Sequence, residues 1–212
     1  MKNYLKTLLG ALTITAFTVS SAYSGMGVSL MYGKVETDGT ETERTVSGVT
    51  SETTNASKSE NYIGGSVFAE TEYAGLTLGL DVVPFKIKLG DGKRTDTTSD
   101  ANESTQEDGT VSAEANLDYL TTIYAHYPIG DWYAGLGYHM TKVSTDETLH
   151  TSSYGDQNIN GFQYAIGKNS GNLRYELSYS DFDDISLTSS NGDKISADAD
   201  NIMFKLSYLL GN

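Results

Sequence analysis

From Met26 onward, apolar side chains recur at every second position, which is the period of a strand and not of a helix. Eight runs carry this alternation. The first, 26–36, sets Val28, Leu30 and Tyr32 against Gly27, Ser29 and Gly33. In the second, 61–73, Ile63, Val67, Ala69 and Tyr73 oppose Gly64, Ser66, Glu70 and Glu72. The third, 76–87, alternates Leu76, Leu78, Leu80 and Val82 with Thr77, Gly79 and Asp81. The fourth, 115–127, places Leu117, Tyr119, Ile123, Ala125 and Tyr127 opposite Asp118, Thr122, Tyr124 and His126. The fifth, 132–143, has Trp132, Ala134, Leu136, Tyr138 and Met140 on one face and Tyr133, Gly135, Gly137, His139 and Thr141 on the other. The sixth, 158–168, sets Phe162, Tyr164 and Ile166 against Gly161, Gln163, Ala165 and Gly167. The seventh, 172–182, alternates Leu173, Tyr175, Leu177 and Tyr179 with Arg174, Glu176, Ser178 and Ser180. The eighth, 199–210, alternates Ile202, Phe204, Leu206, Tyr208 and Leu210 with Asn201, Met203, Lys205 and Ser207.

The connections alternate between long and short. Segments 37–60, 88–114, 144–157 and 183–198 are long, polar and rich in Thr, Ser, Asp, Glu and Gly. Between them lie Ala74-Gly75, Pro128-Ile129-Gly130-Asp131 and Asn169-Ser170-Gly171, all tight turns. This pattern predicts an all-β chain: an eight-stranded antiparallel up-and-down barrel in one domain, 25–212.

Three features favour a membrane barrel over a soluble one. The polar face carries acids, bases and many glycines, which suits a narrow lumen better than a water-washed surface. Tyr73, Tyr127, Trp132, Tyr175 and Tyr208 fall near the tight turns or the C-terminal end of the last run, whereas Tyr32, Tyr119, Tyr138 and Tyr179 fall toward the long connections. Two aromatic girdles around an aliphatic band are what lipid headgroups select. Long loops at one end and tight turns at the other follow the same rule.

Composition narrows the functional classes. The 212 residues hold no cysteine, so disulfides and thiolate metal sites are excluded. The formal net charge of −14 argues against nucleic acid as a partner, because phosphate binding needs clustered Lys and Arg. Residues 1–24 read as a secretory signal. Lys2 and Lys6 precede an apolar stretch, 8–19, and small residues around Ser24 offer a cleavage site. The stretch is shorter than the ~20 apolar residues a spanning helix needs.

Over 26–212 the strand count, alternation, girdles and loop asymmetry resemble the small eight-stranded outer-membrane barrels, the OmpA transmembrane-domain, OmpX and opacity-protein group. The resemblance is architectural and rests on no signature motif. The chain ends Phe204-Lys-Leu-Ser-Tyr208-Leu-Leu-Gly-Asn212, without the terminal aromatic common in that group. The resemblance implies residence in the outer membrane of a Gram-negative cell. It also implies contact with lipid and lipopolysaccharide and insertion by the barrel-assembly machinery.

Candidate chemistry is sparse. Glu70, Glu72, Asp81, Asp118, His126, Arg174, Glu176 and Lys205 share the polar faces and are expected to pair as a lumen network. The resemblance makes lipid A deacylation worth testing, since such enzymes use a His-x-Ser pair on the barrel. His126 and His139 offer no serine at that spacing, and His150 with Ser152 lies in a long polar segment. Asp181, Asp183, Asp184, Asp193, Asp198 and Asp200 gather near the last loop without a calcium-loop motif. The expectation is therefore a non-enzymatic protein with no cofactor or metal. Its role would be structural or surface-interactive, with the acidic loops meeting a surface ligand or a phage. The alternative is a narrow porin-like channel for small solutes or ions.

Overall fold

The computed structural model describes residues 24–44, 50–96, 109–148, 153–190 and 192–210. The expected signal segment, apart from Ser24, lies outside the described residues, as do His150 and Ser152. Every regular element among the described residues is a strand. In chain order these are β1 (Ser24–Arg44), β2 (Thr50–Tyr73), β3 (Leu76–Val82), β4 (Ile87–Asp96) and β5 (Gly109–Ile129). There follow β6 (Trp132–Glu147), β7 (Gln157–Ser170), β8 (Leu173–Phe182), β9 (Ile185–Thr188) and β10 (Lys194–Leu210).

Eight of these strands form a closed antiparallel ring, in the order β1, β2, β3, β5, β6, β7, β8, β10. Closure comes from β10 on β1, paired from Met26↔Leu210 to Thr42↔Lys194. This ladder joins the two ends of the sheet, but beyond Val67 the β3-side edge of β2 carries no ladder, because β3 ends at Val82 and β4 pairs with β5 alone. The tight turns lie at one end. At the β2–β3 turn, Ala74 and Gly75 both have positive φ, 52° and 81°. That is the geometry a two-residue hairpin needs to match strand twist.

The long connections extend the hairpins well past the eight apolar runs. Much of what reads as polar loop is built as strand. The β1–β2 ladder continues without a break in pairing from Ser24↔Thr71 to its bulge at Glu43/Arg44. Once an apolar stem sets register, every second added cross-strand pair gains two backbone hydrogen bonds, and Thr and Ser suit the pleat. Low hydrophobicity alone therefore does not predict a loop here.

Two of the strands lie off the ring. The third run, expected to continue to 87, stops at Val82. Pro84 then removes a ladder donor and restricts Val83, and the chain restarts as β4, paired with β5 alone. After Phe182 the chain breaks at Asp183-Asp184 and restarts as β9, paired with β10.

A bulge in β5 changes which face is which. Its pairing to β6 shifts between Asp118 and Thr121, and Tyr119 has φ of 51°. On the turn side of this bulge, Thr122, Tyr124 and His126 point inward. On the other side Leu117 is buried within the apolar core, whereas the alternation placed it on the outer face with Tyr119. An extra residue on one strand reverses the side-chain phase beyond it.

Candidate functional site

The outer surface at the turn end is apolar. Met26, Val28, Leu30, Leu136, Ile166, Leu177 and Leu210 are all exposed. So are the nine aromatics expected at the interfaces: Tyr32, Tyr73, Tyr119, Tyr127, Trp132, Tyr138, Tyr175, Tyr179 and Tyr208. Above this band the outer face turns polar on five strands of the ring, β1, β6, β7, β8 and β10. Tyr32 is followed outward by Lys34, Met140 by Lys142, Phe162 by Asn160, Tyr179 by Asp181 and Ile202 by Asp200. From Trp132 to Met140 the apolar stretch rises roughly 21 Å at a strand tilt of about 40°, near the height of a lipid-facing barrel band.

Inside the same band the barrel is filled with polar side chains. Arg174 on β8 makes two parallel hydrogen bonds to Glu70 on β2, each 2.8 Å. Its guanidinium lies between the rings of Phe68 and Tyr133, 5.7 and 5.6 Å from their centres. Tyr124 donates to Glu70 at 2.9 Å. Lys205 on β10 bridges Asp81 at 2.9 Å and Glu176 at 3.2 Å. Tyr133 donates to Glu176 at 2.6 Å, and His126 Nε2 lies 3.5 Å from the same carboxylate. The rings of Tyr124, His126 and Tyr133 stack in sequence, with centroids 4.5 and 4.1 Å apart. Two ion-pair clusters are thus joined by an aromatic stack across the lumen.

Glycine makes room for these rings. Gly27 faces Phe68, Gly79 faces Tyr124 and Gly167 faces Tyr133, each pair directly cross-strand. A Cβ on any of the three would overlap the partner ring. The lumen glycines therefore serve close packing, which their abundance on the polar face had suggested.

Of the eight charged residues grouped from sequence, six meet in this plug: Glu70, Asp81, His126, Arg174, Glu176 and Lys205. Two do not. Glu72 is exposed near the β2–β3 turn, past the end of the plug. Asp118 lies on the outer face, because the bulge beside it reverses the phase. There its carboxylate accepts from Ser144 at 2.9 Å and sits 3.5 Å from Lys142, its cross-strand neighbour.

Next to the plug lies a second polar layer. His139 contacts Thr122 at 2.7 Å through Nδ1 and Ser180 at 2.8 Å through Nε2. A His-x-Ser search could not find this contact, since 41 residues separate the partners. Ser180 is 0 % exposed, so no substrate reaches its hydroxyl. The arrangement satisfies buried polar groups and offers no accessible nucleophile. The carboxylates near the last loop split up: Asp184 and Asp198 hydrogen-bond each other, and two others take separate partners. Asp183 accepts from Asn160 and Asp200 from Tyr179. Among the described residues no group of three metal-capable side chains forms.

Toward the hairpin end the interior changes character. Val35, Val83, Ile87, Leu89, Leu117, Leu120, Val143, Ile159, Phe182, Ile185 and Leu187 are buried together there. The outer face at that level carries ion pairs instead. Lys86 meets Asp146 at 2.8 Å, Lys142 meets Asp156 at 2.8 Å, and Lys88 meets Asp91 at 3.2 Å.

No family model and no curated protein matches the chain. Solved structures do. The outer membrane protease OmpT from Escherichia coli is 10% identical over 88% of this chain and 97% of its own, with a TM-score of 0.50. The outer membrane protein OprG from Pseudomonas aeruginosa is 13% identical over 88% and 97%, with a TM-score of 0.48. Neisserial surface protein A is 11% identical over 83% and 95%, with a TM-score of 0.38. At such identities the likeness concerns fold alone. With its apolar belt outside and its charged plug inside, the chain has the fold of a bacterial outer-membrane β-barrel.

Proposed function

We propose that this protein is a sealed outer-membrane barrel without enzymatic activity, whose function resides at its extracellular hairpin end as a surface-interaction module. The observation that carries this reading is the filled lumen. The Arg174–Glu70 and Lys205–Asp81–Glu176 clusters and the Tyr124–His126–Tyr133 stack span the space an eight-stranded barrel encloses. A path for ions would have to break these pairs. The part left free to meet other molecules is the hairpin end, where long paired strands present Lys, Asp and Glu on a rigid frame.

Planar-bilayer recording tests the seal. The expected trace shows no stable conductance, and steady openings at neutral pH would favour the narrow-channel alternative. Deleting residues 40–57 tests the location of function. It should abolish binding of cells or lipopolysaccharide to the reconstituted protein while leaving the heat-modifiable gel shift of a folded barrel. Binding that survives the deletion would place the function elsewhere.

A further inference from the structure

The hairpin end forms an apolar cup of about 210 Å³ that opens to solvent. Leu89 of β4, Ala115 of β5, Val143 of β6, Leu187 of β9 and Ala197 of β10 contribute to its wall. β4 helps to form it by leaving the ring: its Leu89 carbonyl accepts from Thr37 of β1 at 3.4 Å, and Gly90 lies against the Lys58 stem. The cup does not continue as a passage. Met31 and Met203 are buried on the plug side, and Lys205 follows two residues further along β10.

The charges around the cup are unbalanced. Its lining includes Lys58 and three carboxylates, Asp91, Glu114 and Glu147; Lys88 lies 3.2 Å from Asp91 and 3.9 Å from Glu114, which leaves two cations against these three acids. A fourth, Glu41, is hydrogen-bonded to Tyr154, which also lines the cup. The whole chain adds a net charge of −14. Such a rim repels anions and tolerates neutral or cationic molecules.

We propose that this cup binds a small apolar molecule, about the size of one substituted aromatic ring, that carries no negative charge. A dry apolar cavity of about 150 Å³ suffices for benzene, so the volume here fits a ring with a short substituent. Apolar contact supplies the affinity, and the acidic rim excludes fatty-acid-like carboxylates. The inference rests on the reading of a sealed barrel with its function at the hairpin end, and adds a ligand class to it.

The test is methyl NMR of the full mature chain in lipid nanodiscs, titrated separately with toluene and benzoate. Toluene is expected to produce saturable shifts at Leu89, Ala115, Val143 and Leu187. Benzoate should bind at least about tenfold more weakly, as a repulsive rim of this size implies. Leu30 and Leu177, on the lipid face, report mere partitioning. Ala115→Phe should abolish the saturable shifts by filling the cup. Gly39→Leu provides an independent fill at a position where a Cβ makes ordinary contact, 3.5 Å from Ala197. Both variants are checked for the heat-modifiable gel shift. Absence of saturable shifts in the wild type, equal affinity for benzoate, or survival of the shifts in both folded variants would each overturn the proposal. Bilayer conductance with the toluene response intact would sink the sealed-barrel reading and leave the cup standing.

Discussion

Along β1 the inward positions pass from Ser29 to Met31 and Val35, while the outward positions pass from Val28, Leu30 and Tyr32 to Lys34 and Glu36. β6 shows the same exchange. His139 faces in and Leu136 out at one level, and Val143 faces in and Lys142 out at the next. One ring of strands therefore contains two barrels of opposite polarity. In the turn half, lipid outside leaves polar groups only the lumen, where they must satisfy one another. In the hairpin half, water outside takes the charges and the apolar side chains turn inward, as in a soluble barrel. The strands do not change at the boundary; the solvent around them does. The Tyr119 bulge marks the crossing on β5.

The largest effect should come from breaking the polar half. Arg174→Ala leaves the Glu70 carboxylate buried without its cation, a loss of about 3–5 kcal/mol. Urea unfolding in detergent micelles should show it as a lower midpoint. Combining Arg174→Met with Glu70→Gln should recover much of that loss, because no lone charge remains buried. A double variant no better than the single one would argue against charge pairing as the cause.

Removing a core side chain from the apolar half comes next. Leu117→Ala should cost about 3 kcal/mol through lost burial and the cavity left behind. Its damage should be local, with limited proteolysis cutting the hairpin end faster while the heat-modifiable core persists. Equal loss of protection at both ends would mean that the halves fold as one unit.

Gly167→Ala probes the plug by shape rather than charge. The new methyl would push the Tyr133 ring off its seat and strain its bond to Glu176, costing about 1–3 kcal/mol. Near-ultraviolet circular dichroism should report the displaced tyrosine. An unchanged spectrum would mean that the ring has room to spare.

The smallest effect belongs to the exposed outer face of the hairpin half. The Asp198 carboxyl is held above its usual range, first by its hydrogen bond with Asp184 and then by that neighbour's charge. A raised carboxyl favours folding while protonated, and that contribution fades as pH rises through the folded value. Asp198→Asn should therefore stabilise the protein slightly at pH 7 and not at all in acid. Thermal melts at both pH values should show the contrast, and a gain that is larger in acid would contradict it.

Much of this molecule was legible from its sequence because a period of two has only two faces to assign. The strand phases of β1, β6, β8 and β10 follow directly from Leu30, Leu136, Leu177 and Phe204. Where the phase is unbroken, the buried partners follow too, so Arg174, Glu176 and Lys205 fall inside together. Asp118 did not follow, because a single extra backbone residue at the bulge is invisible to alternation and reverses every side chain beyond it. Glu72 shares the lumen phase but lies past the end of the plug, and phase carries no height. The hairpin strands were hidden for another reason: Thr, Ser and Asp form a ladder when a neighbouring strand is already in register, and in a single strand they look like a loop.

The sequence by itself determined the closed all-β barrel and its apolar band, since these depend on local alternation and on where tight turns can form. Only the tertiary structure decided which charges meet. Glu70 finds Arg174 across 104 residues and Asp81 finds Lys205 across 124, pairings set by barrel closure and shear. The apolar cup is likewise a product of closure. Its walls come from strands that share no local pattern, and they enclose a space only because the ring brings them face to face.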